Sequence, residues 1–308
     1  MIKTLDVTLR DGGYRNNFHF NNEDINHIVA SLTKTGIDYI EVGYRNGSFK
    51  PMDNIGITGN SDNQYLQLVK QSHPEAQLGV IYHPRNIKEK DIDDMFNIGI
   101  SLLRCCFDAN NIDYTLKLIE KTKQLKMVSC VNFTRVSQLS KNKLLENAAL
   151  AVQAGADVVY LADSNGSLLP HEVTNLMYIL KNTIDVELGF HAHNNLNLAI
   201  ANAIAAIDSG ATFIDSSLRG MGKGAGNLQT EFWIAYLLKT NKNKNYDLGA
   251  AFESVEYLAN NLHYSNPETP LIDIMAGSLD LSIEEKVKLN GFDFKGFNEL
   301  FKNKHNKY

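Results

Sequence analysis

The chain has 308 residues, a hydrophobic fraction of 44% and a formal net charge of −5 at pH 7. That length can bury one large α/β core, and an acidic chain without a dense basic block is not expected to bind nucleic acid as its main partner. No membrane partner is expected either, because no stretch approaches the roughly 20 consecutive apolar residues of a spanning helix. The cysteines form no spaced framework, which predicts reduced, buried thiols in a cytoplasmic protein.

Glycines mark the ends of successive helix-and-strand units. At Gly36, Gly99, Gly155 and Gly210 a helical segment ends, a small or β-branched residue follows, and an apolar strand begins. Glycine is expected at this place because it readily adopts the left-handed conformation that closes a helix. Each interval between these glycines leaves room for one further helix and one further strand.

Eight strands are counted in this way. Four follow the glycines directly, and the other four are predicted at 2–9, 78–82, 127–131 and 186–190. Helical periodicity between the strands is clearest at 24–34, 113–125, 143–154, 171–182 and 196–209. This regular alternation predicts a parallel (β/α)8 TIM barrel, with an open doubly wound sheet as the alternative.

A helical tail follows the barrel. We predict a catalytic barrel domain over 1–240 and a short helical C-terminal extension over 241–308 that packs on the barrel or caps it. Residues 246–263 have helical periodicity, and Ser282 is a candidate cap for a final helix. Tyr264 is a candidate proton donor, although a core or surface tyrosine is the simpler interpretation.

Two short motifs predict a metal site. Asp11 follows the first strand, and His191 and His193 follow the seventh. Because alternate residues of an extended strand point the same way, both imidazoles can face one ion. Two imidazoles and a carboxylate suit a divalent ion that keeps positions open for substrate, and Arg10 would place a cation beside it. Each motif alone is more often a salt bridge or a core histidine pair, so it is their joint position at strand ends that favours the metal.

Other polar residues lie at predicted strand ends, where barrel enzymes carry their chemistry. Glu41 lies inside the second strand and is expected to support Arg10 or the metal, because a buried unpaired carboxylate is costly. Asp163 either forms a turn and helix cap or takes part directly. The remaining polar residues at these ends are His83, Asp108, Asn132, Ser164, Asp215 and Ser217.

A glycine-rich loop, residues 219–231, follows the eighth strand. Alternate glycines let the backbone approach a ligand, and a loop at this position that leads into a helix often binds anions in barrels. A tight structural turn is the alternative. A dinucleotide-binding fingerprint is excluded by context, because the glycines follow the last strand instead of opening a βαβ unit.

Three ordered segments carry a family resemblance: Thr8-Leu9-Arg10-Asp11-Gly12, His191-Ala192-His193-Asn194-Asn195 and residues 224–231. Together they resemble the DRE-TIM metallolyase superfamily, which contains hydroxymethylglutaryl-CoA lyase, isopropylmalate and homocitrate synthases, and 4-hydroxy-2-oxovalerate aldolase. The resemblance spans about residues 1 to 235. The run 222–227 most resembles the 4-hydroxy-2-oxovalerate aldolases.

The resemblance implies a divalent-metal-dependent carbon–carbon lyase or aldolase that cleaves or forms a 4-hydroxy-2-oxo acid through a pyruvate-type enolate. Arg10 matches the arginine that stabilises the enolate, Asn227 matches an asparagine that can join the metal ligands, and Glu41 lies where these enzymes carry a carboxylate. The ligands of a Mg or Mn centre match Asp11, His191 and His193. A small-molecule 2-oxo acid is the expected partner, and a homodimer is the default oligomer.

One position departs from the aldolases. Their first motif resembles Arg-Asp-Gly-x-His, with the histidine as general base, whereas this chain has Tyr14. A phenol is a poor base near pH 7, so His83 or a water on the metal is expected to serve instead. Tyr14 is expected either to hydrogen-bond the substrate or to pack under the following loop. A Claisen-type acyl-CoA:2-oxo acid synthase and a catalytically weak barrel with a binding role remain open as alternatives.

Overall fold

The structure, a computed structural model, describes residues 1–48, 52–242, 245–263, 271–282, 284–289, 300 and 303. Eight parallel strands close into a barrel in sequence order, with the last strand paired to the first. They are β1 (Lys3–Asp6), β2 (Tyr39–Tyr44), β3 (Leu78–Tyr82), β4 (Leu102–Cys106), β5 (Val128–Phe133), β6 (Val158–Asp163), β7 (Glu187–Ala192) and β8 (Phe213–Ser216). The predicted TIM barrel is confirmed. The open-sheet alternative is wrong, because β8 hydrogen-bonds β1 and leaves no sheet edge there.

Helices of the described residues surround the barrel. They are α1 (Asn22–Thr35), α2 (Ile57–Asn60), α3 (Asn63–Ser72), α4 (Glu89–Ile98), α5 (Ile112–Gln124), α6 (Lys141–Gln153), α7 (Pro170–Lys181), α8 (Ala199–Asp208), α9 (Thr230–Lys239), α10 (Leu248–Asn261) and α11 (Leu271–Ser278). The helix α8 begins later than its periodicity predicted. Asn197 adopts a left-handed φ of 58°, and the Asn194 side chain caps the helix by accepting from the Ala199 amide at 3.1 Å.

The four glycines that punctuate the sequence adopt the predicted conformation. Gly36, Gly99, Gly155 and Gly210 have φ values of 85°, 96°, 98° and 105°. An L side chain is disfavoured in this left-handed region. Each glycine therefore ends a helix and turns the chain back toward the next strand. This is why the recurring glycine positions predicted the barrel.

The two largest apolar clusters form two layers of the core. The larger layer fills the space between the strands and the surrounding helices, where Trp233 is fully buried. The smaller one lies inside the barrel and consists of Leu5, Val7, Leu102, Cys130, Val158, Tyr160 and Phe213. All cysteines are free and buried, as expected for reduced thiols. The barrel interior is thus a packed core and not a channel, so the chemistry must lie at one mouth.

The C-terminal residues pack at two places on the barrel. Beside α1, the Tyr257 hydroxyl donates to Asp24 at 3.0 Å. Across the loops that follow β5 and β6, Asp280 Oδ1 accepts hydrogen bonds from Ser137, Asn165 and Ser167 at 2.6–2.8 Å.

The Ser282 hydroxyl accepts from the Glu285 amide at 3.2 Å in the turn before a 3-10 helix, Lys286–Leu289, where the sequence suggested the start of a final helix. Tyr264 lies outside the described residues. Among the described residues, no helix combines the length and apolarity that crossing a bilayer would require.

Candidate active site

The three predicted metal ligands meet at the carboxyl end of the barrel. Asp11 lies in the turn after β1, His191 lies near the end of β7, and His193 follows β7. All three are buried, and one possible ligand atom from each lies within 4.8 Å of the others. The turn after β1 is tight because the Val7 carbonyl accepts amide hydrogen bonds from both Arg10 and Asp11, at 3.1 and 2.8 Å. This turn folds Arg10 and Asp11 back over the barrel mouth.

Hydrogen bonds fix which nitrogen of each imidazole carries the proton. The Nδ1 atom of His191 lies 2.8 Å from Oδ2 of Asp215, and that of His193 lies 3.2 Å from the Gly226 carbonyl. Both partners are acceptors, so each Nδ1 is the donor, and the neutral form of each imidazole then carries its lone pair on Nε2. The two Nε2 atoms are 3.3 Å apart. Adjacent ligands of one ion, at bonds of about 2.1 Å and right angles, lie about 3 Å apart, so this donor pair fits a divalent metal.

The protonation states also suit a metal. Burial raises the pKa of Asp11, but Arg10 and His193 outweigh it and hold that pKa well below its usual range. Burial lowers the pKa of His193 to about 4. At pH 7 the carboxylate is therefore ionised and the imidazole neutral, which are the forms that bind metals.

Asn227 lies beside His193. The two residues form an isolated antiparallel bridge, and the Asn227 side-chain amide donates to the Met221 carbonyl at 3.0 Å. Its Oδ1 atom is buried and accepts no hydrogen bond within the described chain. Gly222 makes room for this side chain, because a Cβ there would come within 2.5 Å of it. Glycine in this loop thus serves the packing of the loop itself, and the Asn227 oxygen remains available as a ligand.

A layer of buried charges lies beneath these residues. The Arg10 Nε atom donates to Glu41 at 2.6 Å, and Arg104 Nε lies 3.0 Å from the other Glu41 oxygen. Arg104 also donates to both Asp215 oxygens, at 2.5 and 3.0 Å. Since Asp215 accepts from His191, the layer connects Arg10 to a predicted metal ligand through contacts between β2, β4, β7 and β8. Glu41 contacts Arg10, as the sequence suggested, and its part in the reaction stays a prediction.

Sequence reasoning missed Arg104 and gave Asp215 no role. Arg104 is a charged residue in the middle of an apolar strand, Leu102–Cys106, and it is fully buried. Burying an unpaired guanidinium is costly, so its position alone implied acidic partners inside the barrel. That signal was available, but the sequence did not say which acids would meet it.

Besides Asn227 Oδ1, two buried polar atoms of residues at the mouth of the barrel have no hydrogen-bond partner among the residues described. They are Nη2 of Arg10 and Oδ1 of Asn132. Oδ2 of Asp215 lies 3.9 Å from Nη2 of Arg10, which is within ion-pair distance but too long for a hydrogen bond. Buried polar groups normally have partners, so such atoms point to a ligand. Arg10 can therefore offer a donor to an oxyanion.

One cavity connects these groups. It is lined by Arg10, Asp11, Tyr14, Tyr44, Ile81, His83, Cys106, Asn132, Thr134, Arg135, Ala162, Ser164, His191, His193 and Lys223. Burial, reinforced by Arg85, lowers the pKa of His83 to about 4, so this imidazole is neutral at pH 7.

Asp163 accepts amide hydrogen bonds from Ser167 and Leu168, both at 3.1 Å, which is the turn role that the sequence allowed.

Tyr14 reaches the cavity and also packs within its own loop, so its hydrogen bond to a substrate stays a prediction. It lines the cavity, and its ring packs edge-on against Phe18 with centroids 5.0 Å apart. Its hydroxyl hydrogen-bonds the Ser48 hydroxyl. Burial raises the pKa of Tyr14 above its usual value, so the phenol stays protonated near pH 7. It can donate a hydrogen bond, but it is not a base.

The profile of the HMGL-like family matches residues 1–257. The chain belongs to the HMGL-like family. Its relatives include the 4-hydroxy-2-oxovalerate aldolase of Carboxydothermus hydrogenoformans, which is 37% identical over 80% of this chain and 74% of the relative. The protein of the same name from Geobacillus thermodenitrificans is 35% identical over 80% and 72%.

Solved structures share the fold. The N-terminal domain of a candidate aldolase from Bacteroides vulgatus superposes with a TM-score of 0.83, at 29% identity over 97% of this chain and 100% of that domain. The HMG-CoA lyase of Bacillus subtilis has a TM-score of 0.71 at 16% identity, covering 86% and 94% of the two chains, which supports the fold alone. The HMGL-like family depends on a divalent metal, and the named relatives of this chain are aldolases. The chain is therefore a lyase of the aldolase type.

Proposed function

We propose that this HMGL-like enzyme cleaves a 4-hydroxy-2-oxo acid to pyruvate and an aldehyde, or forms it in the reverse direction. The observation that carries the proposal is the pair of imidazole Nε2 lone pairs 3.3 Å apart beside the ionised Asp11. The relatives named 4-hydroxy-2-oxovalerate aldolase support the substrate class.

Mn²⁺ or Mg²⁺ would be held by Asp11, His191 and His193, with the unpartnered Asn227 oxygen as a further ligand. When bound, the ion supplies a Lewis acid that polarises the 2-oxo acid. Asp215 accepts the His191 proton and so keeps the opposite nitrogen available.

Cleavage breaks the bond between C3 and C4 of the substrate. A base takes the proton of the C4 hydroxyl, the aldehyde leaves, and the electron pair of the broken bond passes into the enolate of pyruvate. Arg10 can donate from Nη2 to the oxygen that gains this charge. Glu41 and Asp11 hold the guanidinium at 2.6 Å each, so it needs little reorganisation during the reaction. A proton returned to C3 completes pyruvate.

We assign the base to His83 or to a water, and a hydrogen-bonding role to Tyr14. His83 is neutral and lines the cavity, so it can accept a proton. Ser48 can donate to the Tyr14 oxygen, which leaves the phenolic proton for the substrate hydroxyl or the aldehyde oxygen.

The test follows pyruvate release from 4-hydroxy-2-oxovalerate through lactate dehydrogenase and NADH. Release that stops with EDTA and returns with Mn²⁺ is expected. The metal-loaded protein should also exchange the methyl protons of pyruvate with deuterium, which needs no aldehyde. Absence of both reactions would overturn the proposal. Thiol release from acetyl-CoA with a panel of 2-oxo acids would replace it by the Claisen-type synthase.

We further propose that residues after 240 form a C-terminal extension of the catalytic barrel. The end of α9 at Lys239 and the contacts of Asp280 with the loops after β5 and β6 support this boundary. A homodimer stays a prediction, which light scattering of the purified chain would test.

A further inference from the structure

Two cations from different loops stand at the rim of the cavity. Arg135 lies in the loop after β5, and Lys223 lies in the loop after β8. Both line the cavity that contains the predicted metal ligands. The sequence predicted that the loop containing Lys223 could bind an anion, but it did not pair Lys223 with Arg135, because their loops are far apart along the chain and meet only when the barrel closes.

The two cations share one carboxylate from the C-terminal extension. Arg135 Nη2 lies 2.8 Å from Oε2 of Glu284, and Lys223 Nζ lies 3.3 Å from Oε1. Burial raises the pKa of Glu284, but Lys223 and Arg135 outweigh it and hold that pKa below its usual value. The geometry therefore demonstrates that both cations can hold a single carboxylate at this rim.

The backbone ties this rim to the metal ligands. The Lys223 amide donates to Asp11 Oδ2 at 3.1 Å, and the Lys223 ammonium lies 5.3 Å from the Tyr14 ring centroid. Arg135 has a left-handed φ of 55°, which a non-glycine residue rarely adopts, and its amide donates to the Ser164 hydroxyl at 3.0 Å. Both residues are thus positioned by contacts with the cavity wall.

Charge favours exchange of the resident carboxylate. The guanidinium of Arg135 and the ammonium of Lys223 converge on the single carboxylate of Glu284, so they can receive another carboxylate of the same charge in its place. The side chains of Arg135, Lys223 and Glu284 are 35%, 25% and 20% exposed, so water reaches them. The cations Arg10 and Arg104 beneath are instead fixed by fully buried acids. A second carboxylate can therefore compete for the rim pair without breaking the buried layer.

We propose that Arg135 and Lys223 bind a carboxylate at the far end of the substrate and that this carboxylate replaces Glu284. The substrates would then be 4-hydroxy-2-oxo diacids, which are cleaved to pyruvate and an aldehyde that carries a carboxylate. This assignment rests on the proposed function. Arg135 and Lys223 determine specificity, and Glu284 occupies their subsite until substrate arrives.

The test compares two ligands of equal chain length, 2-oxoglutarate and 2-oxovalerate, by calorimetric titration of the Mn²⁺-loaded full chain. They differ only in the terminal carboxylate, so the ratio of their dissociation constants measures how much Arg135 and Lys223 contribute to binding that carboxylate. Wild type is expected to prefer 2-oxoglutarate by about 10-fold, as charge-assisted hydrogen bonds allow. Arg135→Gln should bring the ratio close to one. Glu284→Gln should tighten 2-oxoglutarate several-fold by removing the competing carboxylate.

Lys117→Gln is the matched control. It removes a cation from an exposed pair with Glu89, 2.7 Å long and remote from the cavity, and should leave the ratio unchanged. Equal affinity of wild type for both ligands would overturn the subsite. Weaker 2-oxoglutarate binding in Glu284→Gln would show that Glu284 only fastens the extension, and the exchange would be refuted. Failure of 2-oxovalerate itself to bind would instead refute the proposed 2-oxo acid site.

The second readout is the cleavage of 4-hydroxy-2-oxoglutarate against 4-hydroxy-2-oxovalerate. The preference in kcat/KM for the diacid should fall by about 10-fold in Arg135→Gln, mainly through KM. A change confined to kcat for both substrates would contradict a role in binding the far carboxylate.

Discussion

The two ends of the barrel both carry charged residues, but they hold them differently. Just beneath the carboxyl end, Glu41, Arg104 and Asp215 are fully buried, and each contacts more than one charged partner. At the amino end, Lys3 and Glu187 pair at 3.0 Å with side chains 35% and 42% exposed. Water screens the exposed pair, whereas the buried charges depend on one another. Burial and connectivity, not charge itself, therefore distinguish the end that carries the chemistry.

Removing a metal ligand should have the largest effect. Asp11→Asn and His191→Ala are each expected to weaken Mn²⁺ binding by more than about 100-fold and to bring turnover to background, because each removes one of three candidate donors. Titration calorimetry with Mn²⁺ measures the affinity, and circular dichroism checks that the barrel persists. Wild-type affinity in either variant would refute the assignment.

The buried layer should respond to Arg104→Met with a loss of stability. The substitution leaves Glu41 and Asp215 buried without their shared partner, so the free energy of unfolding should fall by about 3–5 kcal/mol. Urea unfolding of the metal-free protein measures it. A loss below about 1 kcal/mol would mean that these charges are coupled no more strongly than an exposed pair.

Arg10→Lys separates enolate stabilisation from metal binding. Lysine keeps the charge but loses the planar fork that meets both Glu41 and Asp11. Mn²⁺ should still bind, while turnover of 4-hydroxy-2-oxovalerate falls by on the order of 100-fold or more, as for loss of an oxyanion donor. Near-normal turnover would contradict the role given to Arg10.

Tyr14→Phe should have a smaller effect. If the hydroxyl bonds the substrate, turnover falls by roughly 10-fold, whereas a packing role leaves it almost unchanged. Burial raises the pKa of Tyr14, so the phenol is protonated throughout the neutral range and its removal should not shift the pH profile there. Deuterium exchange into pyruvate should survive in the variant. Loss of that exchange would make Tyr14 part of proton transfer.

The amino-end pair should give the smallest response. Lys3→Met is expected to change the free energy of unfolding by less than about 1 kcal/mol, because its partner Glu187 stays solvated. Turnover and Mn²⁺ affinity should match wild type. A tenfold loss of turnover would show that the two ends of the barrel are coupled. It would contradict the distinction between a solvated amino end and a catalytic carboxyl end.

Local sequence determined most of the barrel. The closing glycines and the alternation of strand and helix are short-range signals, because the left-handed conformation and hydrophobic periodicity involve only neighbouring residues. The pairing of His191 with His193 was predictable for the same reason, since alternate strand residues share a face. Asp11 could be added because parallel strands of a barrel end at the same mouth.

Only the tertiary structure decided which charges meet. Arg104 and Asp215 are 111 residues apart, and no local pattern says that one guanidinium will bridge Asp215 and Glu41. The same holds for Glu284, which reaches Arg135 and Lys223 only because the extension crosses loops of two different strands. A charged residue in a buried strand indicates that an oppositely charged partner lies nearby, because desolvation is costly. Which residue becomes that partner depends on barrel closure and strand register.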